Sequence, residues 1–78
     1  MPIHSFHAKI HSFDDKTGKG ELCLVYEEPP REVNFVLTNQ NCISNFTLAL
    51  NRNIVQVFGY EEKGILYLGD IYLYLTGK

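Results

Sequence analysis

Apolar and polar residues alternate through short runs, and each run ends at a cluster of turn-forming residues. From Ile3 to Phe13, Phe6, Ala8 and Ile10 share one face at period two, and His7, Lys9 and His11 share the other. That period marks a strand with one wet face. From Glu21 to Glu27, Leu22, Leu24 and Tyr26 alternate with Glu21, Cys23 and Val25. Pro29-Pro30 ends this run, because proline donates nothing to a strand ladder. In Glu32 to Thr38, Val33, Phe35 and Leu37 are expected inside, and Asn34, Val36 and Thr38 outside. Ile54 to Tyr60 is the fourth strand. Ile65 to Leu75 is the fifth, bent or bulged at Gly69, with Ile71, Leu73 and Leu75 opposing Tyr72 and Tyr74.

One stretch reads differently. Ser44 to Leu50 can form one or two helical turns, capped by Ser44 or Asn45, with Phe46, Ala49 and Leu50 toward the core. Turn-rich segments, Thr38 to Asn45 and Asn51-Arg52-Asn53, limit its length. Five strands with a helical or irregular connection between the third and fourth predict an all-β fold. The expected form is a small five-stranded OB-type barrel. Closure also removes the exposed edges that such apolar strands would otherwise present.

Composition narrows the picture. The chain has 78 residues, of which 45% are hydrophobic and 21% charged. That length predicts a single domain over residues 1–78. Seven Lys and Arg against nine Asp and Glu give a net charge of −2, so no basic excess drives non-specific nucleic-acid binding. No apolar run reaches the roughly 18 residues of a membrane span. The first residues, Met1-Pro2-Ile3-His4, have no signal-peptide character, and the expectation is a cytoplasmic protein. Only Cys23 and Cys42 are present. Cys23 lies in an apolar run and reads as a buried thiol. Cys42 follows Asn39-Gln40-Asn41 and reads as exposed.

Catalytic chemistry has no visible carrier. Asp14-Asp15 and Glu61-Glu62 are paired carboxylates, but both fall in expected turns, where solvated charge explains them. No phosphate loop, H-E-x-x-H or C-x-x-C occurs. His7 and His11 share a strand face but stand roughly 13 Å apart by strand rise, too far to share a metal ion. The expectation is a non-enzyme with no cofactor and no metal.

The segment from Ile10 to Leu22, IHSFDDKTGKGEL, resembles the start of a cold-shock domain, whose pattern is V-K-W-F-N-x-x-K-G-F-G-F-I. Without a gap, Ile10, Phe13, Asp14, Gly18, Gly20 and Leu22 fall on the valine, phenylalanine, asparagine, two glycines and isoleucine. Val33-Asn34-Phe35-Val36-Leu37 is similar to the family's V-F-V-H-F segment. Thr47-Leu48 before Asn51-Arg52-Asn53-Ile54 looks like its T-L-x-x-G-x-x-V approach to the fourth strand. The resemblance implies an OB-type barrel and single-stranded RNA or DNA binding by stacking bases on aromatic side chains. It implies Phe13 as the remaining platform. Ser12, Lys19, Glu21, Asn34 and Val36 occupy positions that are aromatic or histidine in the family, and Leu37 replaces its last phenylalanine.

Two functions follow as expectations. The first is weak, salt-sensitive, non-catalytic binding of single-stranded nucleic acid. Lys9, His11, Phe13, Lys16 and Lys19 would meet the strand, and Asn34 would hydrogen-bond a base. Asp14, Asp15 and Glu21 half neutralise that patch. The alternative is a protein-interaction module on a barrel that has lost nucleic-acid binding. There Val36, or a tyrosine-rich C-terminal strand with Tyr67, Tyr72 and Tyr74, would hold a partner or a second copy.

Overall fold

The first strand, β1 (His4–Asp14), follows the expected alternation and then breaks it once. Ala8 and Ile10 are buried, and Lys9 between them is exposed. Its pairing with β2 (Lys19–Leu24) slips between Ile10 and Ser12, so His11 is an extra residue without a partner across the ladder. A one-residue bulge reverses the faces of everything after it. Ser12 therefore faces solvent. Phe13 turns inward and packs half-buried against the core, the reverse of strict alternation.

The structure is a computed structural model and describes residues 3–50 and 54–73. The remaining elements are β3 (Arg31–Leu37), a 3-10 turn (Gln40–Cys42), α1 (Ile43–Ala49), β4 (Val55–Glu62) and β5 (Ile65–Tyr72). The strands close in the order β1-β2-β3-β5-β4. The β3–β5 pair is parallel, and the other four are antiparallel. This is the five-stranded OB-type barrel predicted from the order of runs, with its short helix between β3 and β4. The expected turn at Asn51-Arg52-Asn53 lies outside the described residues, as do Tyr74 and Leu75.

A second bulge shapes β5. Phe58 pairs with Asp70 and Gly59 with Leu68, which leaves Gly69 as the extra residue expected there. The bulge lets Leu66, Leu68 and Ile71 all point inward despite their broken parity.

At one end the barrel closes on three phenylalanines. Phe13 stacks on Phe35 with centroids 6.0 Å apart and planes 12° apart. Phe46 of α1 lies 5.8 Å from Phe13 and 5.5 Å from Phe35, and is fully buried. Gly20 makes room for this cluster. A Cβ there would stand 2.7 Å from the Phe35 ring and would strike the Ser12 carbonyl. Gly18 has a different reason: it sits in the β1–β2 turn at φ 75°, as a turn glycine should. Phe46 and Ala49 face the core as expected, and Leu50 packs against it. The cap differs from expectation. Asn39 caps the preceding 3-10 turn, accepting from the Asn41 N–H at 3.0 Å, and α1, with Cys42 at its N-cap, has no side-chain cap from Ser44 or Asn45.

The thiols are also exchanged relative to expectation. Cys42 is buried, and its Sγ donates to the Gly69 carbonyl at 3.0 Å. Burial pushes this thiol above its ordinary pKa, and the Asp70 charge adds to the effect. Cys23 is only half-buried, on the outer side of β2. The polar neighbours of Cys42 belong to the 3-10 turn, whereas its own side chain points under it.

At the opposite end, Arg31 continues the inward series of Val33, Phe35 and Leu37. Its guanidinium grips Glu61 through Nη1 at 2.8 Å and Nη2 at 2.9 Å, and Glu27 through Nε at 2.9 Å. Glu61 and Glu62 are thus residues of β4, not of a turn; the turn is Lys63-Gly64. The cluster ties the β2–β3 connection and β4 to the start of β3. The hydrogen bonds from Arg31 hold the Glu61 carboxyl below its usual pKa.

Phe46→Ala should cost about 3–5 kcal/mol, comparable with the whole stability of so small a domain, and leave the chain largely unfolded. Phe46→Leu should retain a cooperative transition at lower denaturant concentration. Equal midpoints for Phe46→Leu and wild type in urea would show that this ring does not fix the barrel end. The depressed Glu61 carboxyl stabilises the fold above the usual carboxylate pKa of about 4.3, and that contribution disappears as pH falls through its lowered value. Glu61→Gln should therefore lower Tm at pH 7 and converge with wild type at pH 2–3. A constant gap across that range would contradict the assignment.

Candidate ligand groove

Cross-strand pairing builds the outer face of the barrel row by row. One row runs Asp14, Lys19, Val36, Tyr67, Tyr60 across β1, β2, β3, β5 and β4. The next runs Ser12, Glu21, Asn34, Ile65, Glu62 across the same strands. Between them Phe13, Gly20, Phe35 and Leu66 form the alternate register, which faces inward. The outer side chains therefore stand on strands whose opposite face is the core.

The β1, β2, β3 and β5 members of these rows line an open groove of about 760 Å³. Val36, Ile65 and Tyr67 supply its apolar side, and part of Phe35 reaches its floor. Ser12, Thr17, Lys19, Glu21, Asn34 and Asp14 supply the polar side. Tyr67 is held in place by Tyr60, with centroids 5.2 Å apart and planes 19° apart. The groove occupies the face over strands two and three that OB folds use for oligonucleotides and oligosaccharides.

The structure places the predicted binding residues in four locations. Lys19 and Asn34 line the groove. Lys16 is in the β1–β2 turn, where its N–H donates to Asp14 Oδ1 at 2.9 Å. Lys9 lies one row farther out, in register with Cys23 and Glu32, and His11 at the bulge stands 3.8 Å from Glu32. Phe13 is drawn inside by that bulge, so it does not present a stacking platform beside Lys19. The six residues do not form one patch.

Sequence reasoning missed Ile65 and Thr17 as lining residues. Ile65 shares strand parity with Tyr67 and was legible on that ground. Ser12 was placed on this face by the family resemblance alone, because nothing in His-Ser-Phe announces a bulge.

Net charge on this face has the same sign as nucleic acid. The two rows carry one cation, Lys19, and three carboxylates, Asp14, Glu21 and Glu62. Phosphate binding draws its affinity from cations that release counterions, and a carboxylate excess opposes it. Among the described residues, no three His, Cys, Asp or Glu side chains are grouped to hold a metal ion. No helix among them is long and apolar enough to cross a membrane.

No known protein family, curated protein or solved structure matches this chain.

Lys19→Ala and Asn34→Ala lie on the outer register and should change unfolding free energy by less than about 0.5 kcal/mol. Urea denaturation would check this. A loss above about 1.5 kcal/mol would tie these side chains to the fold and not to a ligand.

Proposed function

We propose that this protein is a non-catalytic binding module whose ligand is a segment of another polypeptide, held in the groove over β2, β3 and β5. One observation carries the reading: an apolar side made by Val36, Ile65 and Tyr67 lies directly against a polar side on which two carboxylates, Asp14 and Glu21, outnumber one cation, Lys19. Apolar side chains in a concave surface, ringed by polar groups, are the usual composition of a specific docking site. Two free thiols fit a reducing cytoplasmic setting.

Single-stranded nucleic acid is the second reading. The cold-shock resemblance and the groove's position on the barrel favour it, and Lys19, Asn34 and Tyr67 give it a cation, a base-edge partner and a ring. The acidic excess and the inward Phe13 count against it.

Titration of isotope-labelled protein separates the two. The neutral peptide Ser-Thr-Leu-Tyr-Thr-Ser should shift the amide signals of Val36, Ile65 and Tyr67 at millimolar concentration. Val36→Glu should abolish those shifts. Fifteen-residue oligo-dT and oligo-U should leave them unmoved even at about 20 mM salt. Oligonucleotide binding that weakens with salt and with Lys19→Ala would reverse the order of the readings.

A further inference from the structure

We propose that the groove is one half of a longer track, and that its ligand is an extended polypeptide with a basic residue at each end of an apolar or aromatic centre. This rests on the polypeptide reading above and names the chemistry of the partner.

A second hollow of about 380 Å³ lies across β4 and β5. Its lining includes Ile3, Phe58, Tyr60 and Asp70. Tyr67 lines both hollows. The stacked Tyr60–Tyr67 pair is thus a ridge between two depressions on one continuous face. Apolar surface persists on the far side of the ridge, where Ile3 is 66% exposed.

Charge defines the two ends. Glu21 and Asp14 lie in the first hollow and Asp70 in the second, while among the described residues Lys19 is the single cation lining either. Asp70 already accepts the Ile71 N–H through Oδ1 at 2.8 Å, which holds one oxygen and leaves the carboxylate exposed at the surface. A ligand that buried its own carboxylates here would meet like charge at both ends. One with Lys or Arg at both ends would meet opposite charge.

The pairing register gives the spacing. Glu21, Asn34 and Ile65 share one row, so Glu21 and β5 are two strand spacings apart, roughly 10 Å. Asp70 lies five residues beyond Ile65, one of them taken up by the Gly69 bulge, which adds roughly 13 Å along the strand. The resulting span of about 16 Å matches an extended chain whose basic residues are five positions apart. Its central residues would pass over Val36 and along Tyr67.

Fluorescence anisotropy with three labelled hexapeptides tests this. The probes are Lys-Thr-Leu-Tyr-Thr-Lys, Ser-Thr-Leu-Tyr-Thr-Ser and Glu-Thr-Leu-Tyr-Thr-Glu. The basic-ended peptide should bind at least tenfold tighter than the acidic-ended one at 20 mM salt. The ratio should collapse in 1 M salt, where the Debye length is about 3 Å. Glu21→Gln and Asp70→Asn should each reduce the ratio, and the double variant should bring it near one. Equal binding of all three peptides would overturn the charge assignment while leaving the docking groove standing. Binding of none would remove both. Displacement of the basic peptide by oligo-dT with higher affinity would show that the track serves nucleic acid, and would also overturn the proposal.

Discussion

Closure of the barrel by β1 is the constraint on which the other features depend. Residues His4–Ala8 pair with β4, and Ala8–Asp14 pair with β2. Ala8 pairs with both Leu24 and Val55, at the point where one neighbour gives way to the other. A strand serving two partners around a tight barrel must bend and change twist, and a bulge does both. The bulge at His11 supplies that change. It carries Phe13 into the interior, where Phe35 and Phe46 receive it, and Gly20 leaves the space they need.

The same event makes the groove. Once Phe13 points inward, Ser12 joins Glu21 and Asn34 on the outside, and the polar side of the groove becomes continuous from β1 to β3. The second bulge, at Gly69, acts similarly on β5. It keeps Ile65 and Tyr67 outside while Leu66, Leu68 and Ile71 remain inside. Interior packing and exterior chemistry are therefore two readings of one register. The outer rows and the core are opposite faces of the same strands.

Fold and chemistry diverge at this face. An OB-type barrel places a ligand surface over its second and third strands whatever side chains stand there. Here the groove on that face holds two carboxylates, Asp14 and Glu21, one lysine and an apolar strip. The phosphate backbone of a nucleic acid would find little compensating charge. An apolar segment with basic flanks would find both of its requirements.

Much of the architecture was legible in the linear pattern. Alternation in Val33-Asn34-Phe35-Val36-Leu37 placed each residue of β3 on its proper side, because a strand has period two and nothing interrupts this one. Gly69 announced its own bulge, since a glycine inside an apolar strand has few other uses. Asn34 was placed on the outer face by the same parity, and Lys19 by the family resemblance. What the chain pattern could not hold was the bulge at His11, the inward Phe13, the buried Cys42 and the dispersal of Lys9, His11 and Lys16. Each depends on which strand lies opposite and where its ladder slips. Parity is a property of neighbours in the chain, but register is a property of neighbours in space, and only the closed barrel sets it.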